Sequence, residues 1–354
     1  MEKSIYNLIL DNIVDGRLRE GFSLHEDNGT GEPVFADGAL DGITLYHFGQ
    51  SSIDAAGKRK MIKALNAANR DEREAEKLFA ELAENYSAVG IVDAFQRYIM
   101  DHRRRLSARV LKHTAFYMIY HSTNVECVKY GLEILELMAD IDEQGKTAIR
   151  RLGLCDEFSA QAVWIFSRLD GGNDEIFNLA KNLSGWGRIH AVAALKPETP
   201  EIRRWLLFEG INNYVMPQYS ALAVWVKAGV GELLKSDITD EEFHAVSKIL
   251  GALLDEGPAE GISGLDDAEE AVRDYLAAAV KTALAIEDYE SVFDIRNWAA
   301  DESNDYPEIV LTCSDILSDE LCEETVREAV KEGKGLRLAE ALEIYSPEEE
   351  ETNE

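Results

Sequence analysis

The 354-residue chain is 46% apolar and carries 67 acids against 36 bases, a net charge of −31. That composition supports a sizeable packed core and excludes wholesale disorder. The charge sets most of the surface against nucleic acid and anionic lipid, whose phosphates are bound by Lys and Arg, and leaves a basic protein partner compatible.

The opening, MEKSIYNLILDNIVDGRLRE, is charged from its second residue. It lacks both a long apolar core and a small-residue cleavage site, so it does not read as a secretory signal. No run of eighteen apolar residues occurs, and no membrane span is expected. Cys127, Cys155, Cys313 and Cys322 are sparse and form no C-x-x-C. Free buried thiols in a reducing cytoplasm account for them, and the expected location is cytoplasmic.

Residues 1–70 are expected to form an N-terminal cap with a helix, a loop and a β-hairpin. The stretch GFSLHEDNGTGEPVFADGALDGITLYHFG is rich in Gly and Asp and holds two Asp-Gly pairs, Asp37-Gly38 and Asp41-Gly42. ITLYHF, which follows, favours strand, so a short hairpin or ordered loop is expected there. NGTGEP lacks the spacing and the Lys of a phosphate loop and reads as a turn. His25 and His47 flank this segment with Glu26 and Asp27 nearby; a hairpin that joined them would make a metal site, against the simpler reading of a solvated loop.

Helix–turn–helix units are predicted over 71–345. The one basic island, RYIMDHRRRLSARVLK, holds Arg97, Arg103, Arg104, Arg105, Arg109 and Lys112 against Asp101. Two readings stand. The arginines either pair internally with an acidic neighbour such as DEREAEKLFAELAE or form a patch for an anion or an acidic partner. His102 and His113, predicted on one helix, would lie about 16 Å apart along its axis and could not share a metal.

Beyond residue 150 one pattern recurs: aromatic-x-Ala-x-Ala-Val. It is written FSAQAV at Phe158, YSALAV at Tyr219 and YLAAAV at Tyr275, with looser forms at Ile189, Phe243 and Tyr306, so the steps run from 24 to 32 residues. Two helices and two turns occupy that length. At 100° per residue the aromatic and the second Ala share one face, with Val near the other, so such a helix is buried on several sides. Small alanines let neighbouring backbones approach. The intervening segments carry helix starts: Thr199 before Pro200, and the capping box Thr239 with Glu242. Glu241 and His244 make the only Glu-x-x-His. A di-metal bundle needs two such motifs, and Glu241 is also where the helix dipole favours an acid. Acids outnumber bases 18 to 4 from Asp301 onward, and 346–354 is expected to be an acidic disordered tail.

Four tryptophans, Trp164, Trp186, Trp205 and Trp225, fall within 62 residues. They are candidate partner anchors on a concave face, and Arg103, Arg104 and Arg105 are further candidates on a separate charged face. The competing reading is core filling, since Leu195 and Lys281 take the tryptophan position in sibling repeats. No dinucleotide fingerprint, Walker motif, nucleophile elbow or paired-Cys zinc motif occurs, and no cofactor or metal is expected from the residues.

The alanine-rich helices, their recurrence and the start ETPEIRRWLL resemble HEAT-type α-solenoids over about 71–345. The resemblance implies an all-α superhelical array of helix pairs and an interaction or scaffold role. MEKSIYNLILDNIVDGRLREGFSL and GITLYHFG resemble bacterial proteins labelled limonene hydroxylase, which implies monoterpene hydroxylation and alcohol dehydrogenation. That resemblance transfers no catalytic residue, and the haem-thiolate, flavin and nicotinamide fingerprints that such chemistry uses do not appear.

Overall fold

The computed structural model describes residues 3–25, 34–49, 51–257 and 259–344. NGTGEP, Glu26, Asp27 and the tail 346–354 lie outside them. The fold is all-α, and among the described residues the strands form a single two-stranded ribbon. The chain divides into two compact units at Leu195 and Lys196, with Asn213–Val215 counted in the first.

The first unit holds α1 (Ile5–Asp11), β1 (Ile13–Val14), β2 (Arg17–Leu18), α2 (Ala39–Ile43), α3 (Ala55–Ala68), α4 (Glu72–Ala83), α5 (Ala88–Asp101) and α6 (Ala108–His121). It continues with α7 (Val125–Glu136), α8 (Glu143–Gly153), α9 (Asp156–Ser167), α10 (Gly172–Asn182) and α11 (Trp186–Ala194). Helices adjacent in sequence pack as pairs, α3 on α4, α6 on α7, α8 on α9 and α10 on α11, and a second set of contacts runs α4 to α7 to α9 to α11. Side-chain oxygens of Asp54, Asp71, Ser87, Asn124 and Asp142 accept from backbone amides in the first turns of α3, α4, α5, α7 and α8. These bonds satisfy donors that a helix start leaves open.

FSAQAV lies on α9, which touches α2, α7, α8, α10 and α11. That accounts for a helix buried nearly all round. The alanines do separate crowded backbones: a Cβ at Gly153 of α8 would stand 2.7 Å from the Ala162 Cβ.

The second unit holds α12 (Pro200–Glu209), α13 (Gln218–Ala228), α14 (Val230–Leu234), α15 (Asp240–Leu254), α16 (Ala268–Ala279), α17 (Ile286–Ala300), α18 (Pro307–Leu317), α19 (Glu320–Lys331) and α20 (Leu336–Ala341). Here α13, α15 and α17 pack in succession, with α12 on α13 and α17 on α18. The Thr199 cap with Pro200 in the first turn and the Thr239–Glu242 capping box are both present. YSALAV lies on α13 and is less enclosed than its twin, with Tyr219, Leu222 and Ala223 only half-buried.

Two local expectations are corrected. ITLYHF is not a strand: Ile43 ends α2, and Thr44–Phe48 form a π-helical turn that packs on α5. The β-rich composition loses to tertiary contacts. The hairpin is instead at Ile13–Leu18, turned by Asp15 and Gly16, both with positive φ. That Asp-Gly pair has the geometry of a two-residue hairpin turn. His102 and His113 are not on one helix, because α5 stops at Asp101 and α6 starts at Ala108. Between them Leu106 turns inward and is 5% exposed. Asn69 accepts from the Ser107 amide and donates to the Arg105 carbonyl, which holds the break in place.

Candidate functional site

Helix α7 reads VECVKYGLEILE, and every residue from Cys127 to Glu136 is buried. Among its apolar side chains runs a polar stripe at helical spacing: Glu126, Lys129, Glu133 and Glu136. Spacings of three and four put these on one face. Lys129 is 1% exposed, and its Nζ lies 2.8 Å from Asp41 Oδ2, 2.6 Å from Glu157 Oε1 and 3.3 Å from Glu126 Oε1. The cluster therefore joins α2, α7 and the first turn of α9.

Other contacts orient the carboxylates. Glu126 Oε2 accepts from the Ala88 amide at 2.6 Å, and Gln161 Nε2 donates to Asp41 at 3.4 Å. Glu157 Oε2 accepts from the Gly38 amide at 2.7 Å and faces His25 Nε2 at 3.3 Å. Gly38 adopts φ +75°, and a Cβ there would lie 2.6 Å from the Asp156 carbonyl oxygen, so only glycine fits. Asp37 accepts from Ser23 Oγ at 2.8 Å and from the Leu24 amide at 3.1 Å, which places His25 beside Glu157. The buried Cys155 thiol donates to Asp37 Oδ2 at 3.5 Å. One donor atom each from His25, Asp37 and Glu157 converge within 4.8 Å of one another.

Burial opposes the charge on Lys129, but the surrounding carboxylates overcome it and hold the ammonium above its ordinary range. Burial would also raise Glu157; hydrogen bonding from His25 and the Lys129 charge pull it down to about 2. Asp41 goes the other way, because burial outweighs its share of Lys129 and pushes it up to about 6. Glu133 is fully buried, and neither carboxylate oxygen has a partner among the described residues. Burial, then repulsion from Glu126 and Asp41, drives it well above the carboxylate range. Burial drives the Cys155 thiol well up.

The residues singled out from sequence lie elsewhere. Arg103, Arg104 and Arg105 occupy the turn between α5 and α6, all exposed, and none forms an ion pair among the described residues. Lys112 of the same island does pair, with Asp140 at 3.3 Å. Internal pairing with α4 is thus not what holds the three arginines. Thirteen bases against nine acids give residues 51–112 a charge of +4 within a chain of −31.

Trp164 and Trp186 belong to the first unit, Trp205 and Trp225 to the second. Trp186 is 6% exposed, with Tyr46 and His190 against its ring, and acts as core. Trp225 is also 6% exposed, yet it lines an open cleft of about 570 Å³ with Lys235, Glu270 and Asp274. Trp164 and Trp205 are half-buried.

Glu241 and His244 each have another partner. Glu241 meets Arg204 at 3.4 Å, and Asp288 holds His244 Nδ1 at 2.6 Å beside a cavity of about 210 Å³. Asp288 also accepts from the Ala285 amide at 2.7 Å, a helix-start bond. His25 is drawn to Asp37 and Glu157, and His47 is not in that group.

Sequence reasoning missed Lys129, Asp41, Glu126 and Glu157. A signal existed: the 3-4-3 spacing of charged residues on the otherwise apolar α7. Glu157, just before FSAQAV, reads as an ordinary first-turn acid, and nothing local marks it as Lys129's partner. No family model, no curated protein and no solved structure matches the chain, so neither resemblance gains support from comparison.

Proposed function

We propose that the chain is a HEAT-like helical interaction protein that docks an acidic protein segment on the turn between α5 and α6. The observation that carries this reading is the exposure of Arg103, Arg104 and Arg105 without a carboxylate partner among the described residues. In a chain with 67 acids, three adjacent arginines left unpaired form a surface that takes up carboxylates from outside, where guanidinium forks bind them bidentately. The sequential packing of helix pairs within each unit supports the repeat reading. The strongly negative remainder of the chain disfavours long nucleic acid and favours a short acidic segment that reaches only the turn.

A defined probe tests this. Immobilised poly-glutamate should retain the protein at low salt and release it as ionic strength rises, and the variant with Arg103→Ala, Arg104→Ala and Arg105→Ala should run through. Retention unchanged in that variant, or stronger retention on duplex DNA than on poly-glutamate, would contradict the reading.

A further inference from the structure

We propose that His25, Asp37 and Glu157 bind a divalent transition-metal ion of the zinc class. The inference is independent of the arginine turn. An imidazole nitrogen and two carboxylate oxygens, within 4.8 Å of one another, are donors that such an ion accepts, and three protein ligands leave a position for water. His25 Nε2 and Glu157 Oε2 face each other at 3.3 Å, and a bound ion would replace that contact. Lys129 is on the other oxygen of Glu157, and the Gly38 amide fixes Oε2 as an outer-shell donor would. Asp37 is fixed in turn by Ser23, Leu24 and Cys155. The His25 side chain is 39% exposed, which gives the ion an entry path.

The charge of the surroundings is a second observation that points to a missing cation. Asp41, Glu126 and Glu157 share a single ammonium, with Asp37 beside Glu157, and Lys129, Asp41 and Glu157 have side chains at most 9% exposed. A cluster so short of positive charge is costly in a medium of low dielectric. A divalent ion beside Glu157 brings the four carboxylates and Lys129 to within one charge of neutrality. It would also tie residues 23–25 and 37 to the start of α9, so binding would stabilise the N-terminal segment.

Cobalt(II) is the probe, because its visible absorption reports the ligand set. The full-length protein, stripped with chelator and dialysed, should bind one equivalent of Co²⁺, release it to Zn²⁺, and unfold at a higher temperature with Zn²⁺ than without. His25→Ala removes an exposed ligand, and its own metal-free unfolding temperature is the reference for any shift. The variant should weaken Co²⁺ binding about tenfold or more and abolish the thermal shift. Asp37→Asn should weaken binding likewise. Failure of the stripped protein to bind Co²⁺ or Zn²⁺ at micromolar concentration would overturn the proposal. So would binding that His25→Ala leaves unchanged, which would mark adventitious uptake elsewhere.

Discussion

Lys129 decides more than any other single side chain. It is a buried cation whose removal leaves three carboxylates without their counter-charge. Breaking a buried pair on one side typically costs about 3–5 kcal/mol. Lys129→Met should lower stability by about that amount in urea unfolding at pH 7; a loss under about 1 kcal/mol would show that the acids find other partners. His190 offers a separate test. It is 7% exposed, its Nε2 has no partner among the described residues, and burial pushes its pKa down to about 4. The unfolded chain protonates near 6.5, so the folded state holds its advantage above that pH and loses it as the pH falls toward 4. Between pH 7 and 5 the wild type should lose about 2 kcal/mol more stability than His190→Phe. Parallel pH profiles for the two proteins would contradict the assignment.

Elements show which signals in the sequence were legible. Caps at Thr199 and Thr239 are local chemistry, so the residues alone place those helix starts, and the structure agrees. Asp-Gly pairs are local too, yet of Asp15-Gly16, Asp37-Gly38 and Asp41-Gly42 only the first turns a hairpin. The other two are drawn into α2 because Asp41 is held by Lys129 and the Gly38 amide by Glu157, partners more than 80 residues away. The break between α5 and α6 was likewise hidden, since it depends on Asn69 and the inward turn of Leu106. Gly38 is the point where element and site meet. Gly38→Ala would set a side chain in left-handed backbone and against the Asp156 carbonyl, at a cost of about 1–3 kcal/mol. Limited proteolysis should then cut within 34–48 faster than in the wild type; an unchanged cleavage rate would show that this contact does not fix the segment.

At the scale of the whole molecule, composition and periodicity announce an all-α chain, and the structure has that class. The charge distribution was legible only in part. The island around Arg103 stands out in the sequence, but whether its arginines were spent internally could be read only from their exposure. The buried acid cluster leaves no trace in net charge, because its members come from residues 25 to 157 and meet through folding alone. One measurement bears most directly on the claim that the basic turn is a docking surface. A photo-crosslinking residue placed at Arg104, and as a control at the exposed Leu311 of the second unit, would be activated in cells that express the protein. The account predicts one discrete adduct at position 104, with an acidic protein, that disappears when Arg103 and Arg105 are changed to Glu and is missing at position 311. Identical adducts at both positions, or none at 104, would contradict it.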